Sequence, residues 1–106
     1  MQREEIMSKK EAYREKMEAQ LKILNAKFDE LKAKAKYATA EAKIEYHKQI
    51  EALQPKMEEF KKKLHELKAT GEEAWEKFKT GLENVFEETR DALEKALAKF
   101  RHEKEE

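Results

Sequence analysis

The chain has no cysteine, one proline and two glycines among 106 residues. Without cysteine there can be no disulfide scaffold, no thiolate-bound zinc and no thiol nucleophile. The scarcity of turn residues argues against a β-rich fold. Net charge is missing too: 24 Lys+Arg offset 24 Asp+Glu. No apolar run approaches the roughly 20 residues needed to span a bilayer. No charged segment leading into an apolar stretch marks a signal peptide, so the expected location is cytoplasmic. The length is that of one domain, 1–106.

What the chain does contain is helix-forming residues. Charged side chains make up 45% and hydrophobic ones 39%, and mean hydropathy is −1.12. Apolar or small residues recur at Met17, Leu21, Leu24, Phe28, Leu31, Ala35, Ala38 and Ala42. These alternate steps of four and three form a heptad seam. Two steps of four, through Tyr46 to Ile50, make a stutter. The seam then resumes as Leu53, Met57, Phe60, Leu64 and Leu67. The remaining positions are mostly Lys, Glu and Gln, as on an amphipathic helix.

The ends of the helices are marked. Ser8 and Glu11 fit a capping box, as do Thr70 and Glu73. Gly71 suits a left-handed helix stop, with Lys68 favourably placed in the preceding turn. Beyond it Trp75, Phe78, Leu82, Val85, Phe86, Leu93, Ala96, Leu97 and Phe100 outline another helix, with a kink expected near Gly81. Pro55 should kink the first helix without ending it, because the seam keeps phase from Leu53 to Met57.

Folding back at Gly71 would set residue i opposite residue 142−i: Phe60 opposite Leu82, Leu53 opposite Thr89, Tyr46 opposite Ala96 and Ala42 opposite Phe100. Charge favours this arrangement, since residues 1–71 hold 17 basic and 13 acidic side chains and 72–106 hold 7 and 11. The return helix ends opposite about Ala42, leaving Met17–Ala38 without an intrachain partner. Such a seam does not normally face water. Either the chain turns again near 38–41 and forms a three-helix bundle, or the first helix runs on and two chains pair. Residues 37–42 contain no Gly, Pro or Asn, and only Thr39 could cap. The continuous helix, spanning roughly 90 Å, is therefore the favoured expectation.

Catalytic chemistry finds little support. His47, His65 and His102 lack the Glu-x-x-His spacing of carboxylate-bridged metal bundles, because Ile44, Lys62 and Lys99 stand three residues before them. His47 with Glu51, or His102 with Glu105 and Glu106, offers at most a weak metal pair. The paired carboxylates lie on charged faces with no apolar setting to raise a pKa. No phosphate loop, nucleophile elbow or zinc signature is present. No enzyme activity, cofactor or metal is expected. Lys32, Lys34, Lys36 and Lys61–Lys63 interleave with acids in a neutral chain, so nucleic acid is not an expected partner.

The segments Lys9-Lys10-Glu11-Ala12-Tyr13, Glu15-Lys16-Met17-Glu18-Ala19-Gln20-Leu21 and Gly71-Glu72-Glu73-Ala74-Trp75-Glu76 resemble a group of small bacterial coiled-coil proteins of unknown function. The likeness runs from about Ser8 to Phe100. It implies a soluble helical protein, supplies no catalytic residues and points to Met7 as the native start, outside which residues 1–6 would fall. A more distant similarity to apolipoprotein-like helices reflects amphipathic composition.

Together these features predict an all-α, elongated antiparallel helical hairpin, with a long helix over about 9–69, a second over about 72–101, and frayed ends at 1–7 and 102–106. The alternative is a three-helix bundle with an extra turn near 38–41. The expected role is a coiled-coil oligomerisation or adaptor module. Met17, Leu21, Leu24, Phe28, Leu31, Ala35 and Ala38 would face a second copy, as a dimer or higher oligomer, or another helical protein. A less favoured role is reversible binding to a lipid or hydrophobic surface through Trp75, Phe78, Phe86, Leu93, Leu97 and Phe100. The eight acids among residues 72–100 oppose anionic headgroups.

Overall fold

The seam does not run on as one helix. The computed structural model describes residues 8–105, with side chains from 8 to 100. It divides the seam into α1, Lys9–Lys36, and α2, Ala40–Ala69, followed by α3, Trp75–Glu105. The result is a three-helix bundle measuring 55 × 26 × 17 Å. The favoured expectation of a continuous 9–69 helix and a long hairpin is thus corrected in favour of the alternative. The expected fraying of 1–7 lies outside the described residues, whereas α3 continues through residues 102–105.

Local hydrogen bonds shape the break. Tyr37 leaves α1 at φ −104°, ψ 13°, and the Ala38 amide donates to the Ala35 carbonyl at 3.3 Å. Thr39 then starts α2: its backbone is extended, and its Oγ1 accepts from the Ala42 amide at 3.2 Å. This cap satisfies one of the free amides at the start of a helix. No described residue has a positive φ, so the turn needs neither glycine nor asparagine. Ser8 caps α1 in the same way, accepting from the Glu11 amide at 3.1 Å.

The other turn departs from expectation. Gly71 is not left-handed; the chain leaves α2 in extended conformation at Thr70 (φ −78°, ψ 134°). The Thr70 hydroxyl donates back to the Glu66 carbonyl at 3.0 Å and does not cap α3. That helix begins later, at Trp75, whose amide donates to the Gly71 carbonyl at 3.1 Å. The Lys10 ammonium reaches the Thr70 and Lys68 carbonyls, where the helix dipole favours a cation. Helix α2 passes through Pro55 and α3 through Gly81 without interruption.

The late start of α3 changes the register. Phe60 meets Phe86, with ring centroids 5.5 Å apart, and Tyr46 meets Phe100. Thr89, fully buried, donates to the Val85 carbonyl at 2.7 Å and also lies 3.4 Å from the Lys56 carbonyl. These partners stand about one turn further along α3 than the 142−i pairing. The connection pivots about residue 72, not 71. In addition, helical side chains lean toward their own N-terminus, away from the connection on α2 and toward it on α3, so each α2 residue meets an α3 residue further along the chain.

Candidate interaction surface

The residues expected to face a second chain are occupied within this one. Met17, Leu24, Phe28, Leu31 and Ala35 are buried in the common core, and Leu21 and Ala38 are partly buried against it. The Met17–Ala38 seam therefore does have an intrachain partner, because the turn at 37–39 lays α2 along it. The proposed α3 face is likewise turned inward: Trp75, Leu93, Leu97 and Phe100 are buried, while Phe78 and Phe86 remain half-buried at its flanks. Helix α1 shares a smaller contact with α3 than either shares with α2. Its links to α3 include the tilted Tyr13–Trp75 pair at 5.8 Å and the exposed Lys27–Glu94 ion pair at 3.3 Å. Exposed pairs of that kind contribute about 1 kcal/mol at most.

At the 37–39 turn the helices leave an open apolar cleft of about 650 Å³, lined by Ala33, Ala38, Ala42, Tyr37, Tyr46 and Phe100, with Glu30, Lys34 and Thr39 at its margin. Three alanines create it, since side chains this short cannot fill the space between helices. Tyr37 is 82% exposed, and Ile23 and Ile44 are also exposed. None of these stood out in the sequence. Tyr37 lies off the seam, and a cleft built by alanines is invisible until the helices are assembled.

The opposite end carries a second feature that periodicity missed. Tyr13, four residues before Met17, continues the seam and is buried. Its hydroxyl has no hydrogen-bond partner. Burial pushes this hydroxyl well above its ordinary pKa, and the nearby Glu83 carboxylate adds to the effect. The Lys79 ammonium lies over both the Tyr13 and Trp75 rings, 5.2 and 5.8 Å from their centroids, a favourable placement for a cation. At the cleft end, hydrogen bonds from Lys99 and Gln49 hold the exposed Glu45 carboxyl below its usual range.

His47 and His65 are exposed on α2, and the side chain of His102 lies outside the described residues. Among the described residues no group of three or more His, Asp or Glu is placed to hold a metal ion. No described helix is long and apolar enough to cross a membrane. No family model matches this chain, and no curated protein or solved structure is significantly similar to it.

Proposed function

We propose that the protein is a non-enzymatic helical module of the cytoplasm that acts by self-association or by pairing with another helical protein. The observation that supports this reading is the placement of α1. It carries a heptad seam of Met17, Leu24, Phe28, Leu31 and Ala35, packed chiefly on α2 and, over the smallest interface in the bundle, on α3. Displacing α1 therefore uncovers apolar seams on both sides, and a partner helix of the same pattern can cover them. The test is multi-angle light scattering over a dilution series of the whole chain. A mass rising above 12.6 kDa with concentration is expected; a monomer at every concentration up to millimolar would count against self-association.

A second reading is reversible binding to a neutral lipid surface through α3. The half-buried Phe78 and Phe86 at the flanks of its apolar face favour it. Trp75 is already buried, so a shift in its emission would be a poor reporter. Quenching of Trp75 by brominated zwitterionic lipid is the informative measurement, and its absence would remove this reading.

A further inference from the structure

The turn between α1 and α2 is built from residues that also favour helix. Lys36-Tyr37-Ala38-Thr39-Ala40-Glu41-Ala42 contains no Gly, Pro or Asn. Thr39 already has a helical φ of −65° and departs from helix in ψ, at 165°. The turn's side-chain anchor is the single Thr39 Oγ1 cap on the Ala42 amide. Against that cap stand the unpaired carbonyls at the end of α1 and the unpaired amides at the start of α2, which a continuous helix would join. The apolar stripe passes through Leu31, Ala35, Ala38 and Ala42 in steps of four, three and four, so straightening would keep it on one face. The closed turn also leaves an open apolar cleft of about 650 Å³ beside it, which keeps the apolar surface of Ala38 and Ala42 only partly covered.

We infer that α1 exchanges between two copies of this chain: the 37–39 turn straightens, residues 9–69 become one helix, and the α1 of each copy packs on the α2 and α3 of the other. The partner is a second copy because exchange restores every core contact of α1 between chains without new chemistry, leaving the hinge and the concentration to decide the balance. The two long helices run antiparallel and cross near Ala38, where Ala35, Ala38 and Ala42 let their backbones approach closely. This inference rests on the self-association proposed above and specifies its route.

Ala40→Pro separates the two forms. In the closed bundle Ala40 is the first residue of α2, a position that accepts proline, and Thr39 before it already has the extended backbone proline requires. In the straightened helix the same proline would lie mid-helix, lose a hydrogen bond and clash with the carbonyl of Lys36. The whole chain is unfolded in guanidinium chloride, refolded at micromolar and at millimolar concentration, and resolved by size-exclusion with light scattering and small-angle X-ray scattering. The expected result is a dimer about 90 Å long from the concentrated refolding, against a 55 Å monomer from the dilute one. Ala40→Pro should lower the dimer fraction at least about tenfold while melting no lower than the parent. Thr39→Ala, which lacks the cap, should raise the dimer fraction several-fold. A dimer fraction undiminished in folded Ala40→Pro would overturn exchange and leave self-association standing. A monomer under every condition, Thr39→Ala included, would overturn both. If Ala40→Pro fails to fold, an unchanged dimer fraction in Thr39→Ala overturns exchange by itself.

Discussion

Tyr46 stacks on Phe100 with ring centroids 3.6 Å apart and planes 19° from parallel. Both rings are buried, and together they form the floor of the cleft at the 37–39 turn. The stack ties the far end of α3 to the start of α2, and Glu45 and Lys99 pair beside it at 3.1 Å. It therefore reports whether the register of the whole α2–α3 interface is set as described.

Removing the stack tests that register. Phe100→Ala should cost about 3 kcal/mol, typical of a buried phenylalanine replaced by alanine, read as a lower urea midpoint. Phe100→Leu should retain most of the stability. A loss below about 1 kcal/mol for the alanine variant would mean that α3 does not reach Tyr46.

Charge placed on the α1 seam should unfold the monomer. Leu24 and Phe28 are 1% and 5% exposed, and Leu24→Glu with Phe28→Glu would bury two unpaired carboxylates. Each costs several kcal/mol, against a total stability of about 5–15 kcal/mol for an ordinary domain. Far-UV circular dichroism should show collapse of the helical signal. Had α1 been half of an intermolecular seam, the same variant would be a folded monomer, so the spectrum distinguishes the two architectures.

Tyr13 predicts an alkaline limit. Its folded-state pKa is raised above the ordinary 10.0 by burial and by Glu83. The neutral hydroxyl is thus favoured by folding, and that stability is complete below pH 10 and lost as the pH rises beyond it. Tyr13→Phe removes both this loss and the unpartnered buried hydroxyl. It should be about 1 kcal/mol more stable than the parent at pH 7 and show a shallower decline at pH 11. Denaturant melts at the two pH values measure both effects, and equal slopes in the two proteins would contradict the burial of Tyr13.

Glu45 predicts a weaker effect of opposite sign. Its pKa is lowered by hydrogen bonds from Lys99 and Gln49 and by the charge of Lys99. The associated stability is present above the ordinary value of 4.5 and fades as the pH falls through the depressed one. Because the carboxylate is exposed, salt should weaken the shift. In Lys99→Ala, carbon-detected NMR should find the Glu45 titration moved back toward 4.5; an unmoved titration would mean that the Lys99 contact does not persist in solution.

Much of the helix pattern was legible along the chain. Ser8 marks the start of α1 by its cap, and Lys68 marks the last turn of α2. The positions from Met17 to Phe100 that carry the core were readable because a buried helical face repeats at fixed spacing. Tyr13 was missed at the edge of that pattern, where one more step of four extends it. The Gly71 stop and the Thr70–Glu73 box do not form, because the same residues admit an extended exit, with the Thr70 hydroxyl bonding backwards to Glu66. The stutter at Ala42, Tyr46 and Ile50 is not an unwinding within one long helix. It lies just beyond the point where one helix ends and another sets its own phase.

Composition and spacing along the chain are enough to establish that it is helical, which face of each helix is apolar, and that Thr39 is the one residue near 38–41 able to cap. Tertiary structure decided whether that cap would be used. A closed turn at 37–39 forgoes several backbone hydrogen bonds that a continuous helix would make, a local difference of a few kcal/mol. It is offset by laying α2 along Met17, Leu24, Phe28, Leu31 and Ala35 within a single chain, at an effective concentration that no second copy matches until it is abundant. The balance is a sum over apolar surface on all three helices, and no short window of sequence contains it.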